Sequence, residues 1–259
     1  MIKYSFLYKK AELMYENENF EQALQLFRTI ENADINYDVQ NYIGCCLLRM
    51  GQYTKAKEIF ETIIITNPNW SRPLYNLGQT YMKLNDYDKA LMCFNNAVLI
   101  NPYDADAYYY RGVYFEKIKD YNNAIINYKN SLSLKKNEFE PHLGLCICYD
   151  KIGDEQQSLL EAKTAFEIFD CNDTLYNYTF ILNKLKEYNS SYKVLQKHNV
   201  ISSNDVGLLK NLMFCSKKLN KKQLCIKCAT KILEQHPNDL FAKKIIFETQ
   251  TENDSLFDN

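Results

Sequence analysis

One period governs this chain. The segments NYIGCCLLRMGQYTKAKEIFETIIITNP, YNLGQTYMKLNDYDKALMCFNNAVLINP and YYRGVYFEKIKDYNNAIINYKNSLSLKK align without a gap. Gly44, Gly78 and Gly112 stand 34 residues apart. The same step separates Ala56, Ala90 and Ala124, then Phe60, Phe94 and Tyr128, and also Pro68 and Pro102. A step of this length marks one small supersecondary unit that cannot bury its apolar face alone and gains stability by stacking on its neighbours. Inside a unit the apolar residues recur at helical spacing: Leu74, Leu77, Tyr81 and Leu84, then Ala90, Leu91, Phe94, Ala97 and Val98. Short turns such as Leu84-Asn85-Asp86-Tyr87 part the two helices. Asn67-Pro68 and Asn101-Pro102 close the second helix, because proline cannot continue a helix and disfavours α before it. Composition agrees: 7 glycines and 5 prolines in 259 residues are under half the roughly 12% of an average chain. A sandwich or barrel would need more turn formers than that.

This pattern resembles the tetratricopeptide repeat. Anchored on its columns, seven units start at Tyr4, Tyr37, Ser71, Ala105, Phe139, Asn172 and Val206. The first keeps Ala11, Ala23 and Phe27 at the small, small and aromatic places. The fifth puts Cys146, Ser158 and Ala162 there, and the sixth Thr179, Ser191 and Leu195. The seventh has Met213, Cys225 and Ala229. The resemblance implies an all-α, right-handed superhelical solenoid of seven helix-turn-helix repeats, and a capping helix over residues 239–250 completes it. Leu240, Ile245 and Ile246 of that helix would cover the seventh repeat, with Lys243, Lys244 and Glu248 in water. Residues 1–250 are expected as one solenoid domain, with a bend at Asp170–Thr174 or Asn199–Asp205. The polar stretch 251–259 is expected to be a disordered tail.

The charge balance is 31 basic against 32 acidic residues, a net charge of −1, so no global field favours nucleic acid or an anionic membrane. Nine scattered cysteines, an odd number within apolar helical pattern, fit free thiols of a reducing compartment. The opening residues lack an apolar core with a cleavage site, and no stretch approaches the length of a membrane span. A cytoplasmic location is therefore expected.

Catalytic signatures are absent. No GxxxxGK[ST], GxGxxG, HExxH or GxSxG occurs, and nothing places His142, His198 or His236 beside a nucleophile. Cys225-Ile-Lys-Cys228 is half a zinc site with no second pair at zinc spacing, and Cys225 stands where other repeats have alanine. The reading is a non-enzyme without metal or cofactor.

In this family the first helices line the concave face where ligand peptides bind. Here one matching column runs Tyr8, Asn41, Tyr75, Tyr109, Leu143, Tyr176, Lys210, and the next contains Tyr42, Asn76, Tyr110, Gly144, Asn177 and Asn211. A third carries Val113, Ile147, Phe180 and Phe214 where the family often has polar residues. Together with Tyr75, Tyr109, Tyr110 and Leu143 these make an apolar strip, and such strips mark partner sites unless they pack between adjacent first helices. A basic column, Lys83, Lys117 and Lys151, continues to Lys184 and Lys218. It can touch an acidic ligand, or simply meet the negative end of each helix dipole for about 0.3–1 kcal/mol. The candidate partner-binding residues are thus Tyr75, Asn76, Tyr109, Tyr110, Val113, Leu143, Ile147, Lys83, Lys117 and Lys151.

Two known binding modes fit poorly. The family's carboxylate clamp would need Lys or Asn, then Asn, then Lys or Arg, and neither register here supplies it, which argues against Hsp70 and Hsp90 tails. A ladder of asparagines is begun by Asn76, Asn177 and Asn211 and broken by Tyr42, Tyr110 and Gly144. The expected function is a scaffold or adaptor that binds a peptide or helix of a partner protein in the concave groove. The alternative is an accessory subunit, for a glycosyltransferase or secretion complex, that uses its convex face or a terminal repeat. RNA along the basic column is a weaker third reading.

Overall fold

The computed structural model describes residues 2–31 and 36–254, with side chains from Phe6 to Phe247 and Glu248 outside the gap. Among them are fifteen α-helices, one 3₁₀ turn and no strand. The chain divides into two compact units, Met1–Lys136 and Asn137–Asn259. The first holds α1 (Ile2–Glu16), α2 (Phe20–Glu31), α3 (Tyr37–Arg49), α4 (Tyr53–Thr66), α5 (Ser71–Lys83), α6 (Tyr87–Ile100), α7 (Ala105–Lys117) and α8 (Tyr121–Leu134). The second holds α9 (Phe139–Ile152), α10 (Glu155–Ile168), α11 (Asn172–Lys184), α12 (Tyr188–Lys197), the 3₁₀ turn Val200–Ser202, α13 (Val206–Lys218), α14 (Lys222–Gln235) and α15 (Leu240–Asp254). Both stretches expected to bend lie inside the second unit. At Asn199–Asp205 the chain is anchored: Val200 is buried and the Lys231 ammonium donates to the Ile201 carbonyl at 3.0 Å.

Each odd-numbered helix pairs with the next even one, and in the first unit glycine sets how closely they approach. A Cβ built on Gly44 would fall 2.6 Å from the Phe60 ring, and on Gly78 2.7 Å from Phe94. The rings are fully buried and cannot retreat. Phe94 also meets Tyr114 of the next pair at 6.0 Å between centroids, so one ring serves two contacts.

The turn inside all seven pairs closes in one way. A residue in the left-handed region follows the first helix: Glu18, Gly51, Asn85, Lys119, Gly153, Lys186 and Asn220. The Asn85 N–H donates to the Met82 carbonyl at 3.2 Å, and the Asp86 N–H to the Tyr81 carbonyl at 2.9 Å. This pairing satisfies the last carbonyls of the helix. The residue that completes the turn opens the second helix. Asp86, Asp120 and Asp154 accept the N–H groups of Lys89, Asn123 and Gln157 as N-caps. First helices are tied at their starts as well, since the Ser71 hydroxyl donates to Asp104, the N-cap of α7, at 2.7 Å.

The final helix buries Ala242 and Ile245 against the seventh pair, whereas Leu240, expected to cover that pair, is exposed. Leu240 lies on the same side of the helix as the exposed Lys243 and Lys244, away from Ala242 and Ile245. The helix extends to Asp254, past the boundary expected at residue 250; the rest of the expected tail, 255–259, lies outside the described residues.

Candidate functional site

On the first-helix face of the first unit, the expected open strip is mostly packed. Tyr75 is 5% exposed and stacks on Tyr110 at 5.2 Å, and Tyr110 meets Tyr109 edge-on at 5.0 Å. Burial, then the charges of Asp106 and Asp104, push the Tyr75 phenol above its ordinary range, so it stays neutral. Asn76 is buried too: its amide donates to Asn41 Oδ1 at 3.0 Å and to Cys45 Sγ at 3.3 Å. Tyr75 and Asn76 therefore brace neighbouring first helices rather than face a ligand. Adjacent first helices run close enough for side chains of successive repeats to meet. Tyr109, Tyr110 and Val113 are half-buried, and Lys83 and Lys117 stand exposed at the last turns of α5 and α7. In the second unit Leu143 and Ile147 are half-buried on α9, with Lys151 exposed near its end.

The asparagines matched to a ligand ladder are occupied within the fold. Besides Asn76, the Asn177 amide donates to the Asp173 carbonyl at 2.8 Å. The Asn211 amide staples α13 to α11, donating to the Tyr176 carbonyl at 3.1 Å and to Thr179 Oγ1 at 2.9 Å. Asn183 returns the staple, donating to the Asn211 carbonyl at 3.1 Å.

The open apolar surface lies instead on α11 and α13. Tyr176 and Phe180, one turn apart, stack at 5.9 Å and 20° while 36% and 41% exposed. Phe214 stands across from them on α13, held edge-on by Tyr188 at 6.0 Å. Phe241, at the start of α15, joins the lining and is 41% exposed. The cleft they form has a volume of about 520 Å³, within the ~300–1,000 Å³ of ligand sites. Gly207 explains how Tyr176 lies down: a Cβ there would come within 3.1 Å of the ring. This glycine is out of register with the period, and its reason is the cleft.

Four lysines and no carboxylate line the cleft: Lys184, Lys186, Lys210 and Lys218. Lys184 pairs with Asp150 and Lys210 with Asp239, each at 2.6 Å. The Lys210 hydrogen bond, helped by the Ala242 N–H, holds the Asp239 carboxyl below its ordinary range. Asp239 is the residue before α15, so this contact also seats Phe241. Among the described residues neither Lys186 nor Lys218 meets a carboxylate; Lys218 lies 5.9 Å from the Phe214 ring centre.

The sequence columns include Tyr176, Phe180, Phe214 and Lys218, but the candidate partner-binding residues stand in repeats three to five. Phe241 belongs to a helix outside the seven units, and no column could find it.

Among the buried cysteines of the last repeat, the environment disfavours the thiolate. Burial pushes the Cys215 thiol up to about 11 and that of Cys228 to about 12, so they remain thiols at neutral pH. Cys225 donates to the Met213 carbonyl at 3.5 Å as a small packing residue. Among the described residues no three His, Cys, Asp or Glu side chains converge as metal ligands, and no helix is long and apolar enough to cross a membrane.

This geometry defines a class of stacked helical pairs with an aromatic cleft on the first-helix face. Tetratricopeptide-repeat families match the sequence at residues 40–69 and 71–104. These two stretches are tetratricopeptide repeats, and the fold is an all-α helical solenoid of such repeats. A chain of the APC/C hetero-tetramer Cut9–Hcn1 resembles it with a TM-score of 0.66 at 15% identity, over 94% of this chain and 55% of that one. The present chain thus spans about half the length of that relative. A thermophilic tetratricopeptide-repeat protein of Thermus thermophilus gives 0.65 at 19% identity, over 69% and 98% of the two chains. One from Parabacteroides merdae gives 0.59 at 16% identity, over 96% and 100%. These likenesses concern the fold. No curated protein matches the chain in sequence. Tetratricopeptide repeats build scaffolds for protein–protein interaction, and the chain falls in that broad class.

Proposed function

We propose that this protein is a non-catalytic scaffold that holds a segment of a partner protein on its first-helix face, anchored in the cleft of the second unit. One observation carries the reading: Tyr176, Phe180 and Phe241 leave large aromatic surface open beside Phe214 in a formed cleft. Exposed aromatic surface costs about 25 cal/mol per Å² in water, so a partner that covers it gains part of that amount after the cost of association. Within the second unit the half-buried Leu143 and Ile147, with Lys151, are secondary contacts for the same class of ligand.

A second reading has its own support. On the second helices of the first unit Ile65, Met92, Leu99 and Ile126 are 80%, 64%, 78% and 55% exposed, which suits a subunit bound through the opposite face. Photo-crosslinking separates the two. With benzoylphenylalanine at position 180 or at position 92, we expect partner adducts in the producing cells from 180 and none from 92. Adducts from 92 alone overturn the cleft assignment.

A further inference from the structure

Resting on that reading of the cleft, we propose that its occupant is a peptide segment that sets a carboxylate within about one helical turn of an apolar anchor side chain. The floor demands the apolar part. Tyr176 and Phe180 stack on each other with their outer faces open, and a side chain such as Leu, Met or Phe covers them. The rim demands the charge. The chain as a whole has a net charge of −1, yet the cleft is lined by lysines and by no acid.

Two of those lysines are already neutralised by Asp150 and Asp239. The two without a carboxylate, Lys186 and Lys218, follow from the repeat itself. Lys218 ends α13 one turn beyond Phe214, and Lys186 occupies the left-handed turn just past α11. Both therefore stand at the carboxyl-terminal ends of first helices, where the helix dipole favours retaining a cation. Residues four apart on a helix lie ~5–6 Å from each other. An anchor over Phe214 or Phe180 thus puts a neighbouring acid of the occupant within reach of this rim. An open cleft between exposed helices suits a chain segment rather than an enclosed small molecule. Nucleic acid would need a wider basic field than a chain with this charge balance offers.

Selection from a random peptide phage library on the full-length protein tests the proposal. Enriched peptides should carry Asp or Glu within four residues of a large apolar residue. A synthetic peptide of the consensus should lose roughly fivefold to tenfold in affinity on Lys186→Glu with Lys218→Glu, on raising salt, or on replacing its acid by Lys. If the peptide depends on Phe180→Ser with Phe241→Ser but not on the lysines, the acidic component is wrong and the cleft assignment stands. If it depends on neither, the cleft assignment fails as well. A library that yields no enriched peptide overturns the acid-plus-anchor occupant. Circular dichroism and the melting temperature of each variant confirm that the helices persist, and Lys186→Gln with Lys218→Gln serves as a milder pair.

Discussion

The two units solve one packing problem in opposite ways. In the first, the close-contact place on the first helix is Ala11, Gly44, Gly78 or Gly112, and the facing place on the second helix is a ring, Phe27, Phe60, Phe94 or Tyr128. In the second, the first helix brings Cys146, Thr179 or Met213, and the second helix answers with Ala162, Leu195 or Ala229. All are buried. In the sixth and seventh repeats volume moves from the ring position to the first helix, the kind of exchange that cores tolerate best, whereas Cys146 and Ala162 of the fifth make a smaller pair. Polar chemistry shifts too. Where the first unit has Ala56, Ala90 and Ala124, the second has Ser158, Ser191 and Cys225. Their side chains donate to the carbonyls of Cys146, Thr179 and Met213 at 3.0, 3.4 and 3.5 Å. A degenerate repeat is thus a different pairing of sizes, not a weaker copy.

Substitutions can break this comparison. The largest effect is expected from Phe94→Ala, about 3–5 kcal/mol lost in urea unfolding, because a fully buried ring leaves a cavity. Trp70 is the single tryptophan and lies in the first unit, so its fluorescence reports that unit while circular dichroism reports both. Next comes Gly78→Thr, expected to cost about 1–3 kcal/mol through overpacking against Phe94. Adding Phe94→Leu, which copies the Thr179 and Leu195 pairing, should restore part of the loss. A double variant no better than the single one would show that sizes are not exchanged between helices as claimed.

Smaller effects sharpen the contrast. Lys119→Gly and Lys186→Gly should each stabilise by roughly 1 kcal/mol, since a lysine held at φ of 65° pays for a conformation that glycine adopts freely. The unfolding midpoint in urea measures it. The smallest effect is a pH response confined to the second unit. His198 Nε2 lies 2.8 Å from Asp170 and Nδ1 lies 2.9 Å from the Val194 carbonyl. Both nitrogens donate only in the imidazolium. Burial draws its pKa down and Lys197 opposes the charge, but the bonds to Asp170 and Val194 outweigh them and leave it raised. A raised folded value means the contribution is full below the unfolded pKa and fades as pH rises through the folded one. Hydrogen exchange in α12 should therefore quicken slightly beyond its ordinary pH dependence between about pH 6 and 8, and His198→Gln should remove that excess.

The fold was legible because the period fixes where glycine, alanine and the aromatic residue must recur, and close helix contact leaves few alternatives. The turns were half hidden: Gly51 and Gly153 mark the left-handed position, whereas Glu18, Lys119 and Lys186 occupy it without any composition signal. At the candidate site, the columns gave the face of each residue but not its depth. Tyr75 and Tyr176 share a column, yet Tyr75 is covered by Tyr110 while Tyr176 lies open above Gly207. Depth depends on what the next helix carries, and Phe241 comes from a helix outside the repeat altogether.

The size exchange between paired helices also bears on how such a gene can be rearranged. A crossover that joined the first helix of one unit to the second helix of the other would place Met213 against a phenylalanine, or a glycine against an alanine. One product is overfilled and the other hollow. Recombination that respects the turn between pairs keeps each match intact, so the heritable module is the helix pair, and breakpoints inside it should be purged.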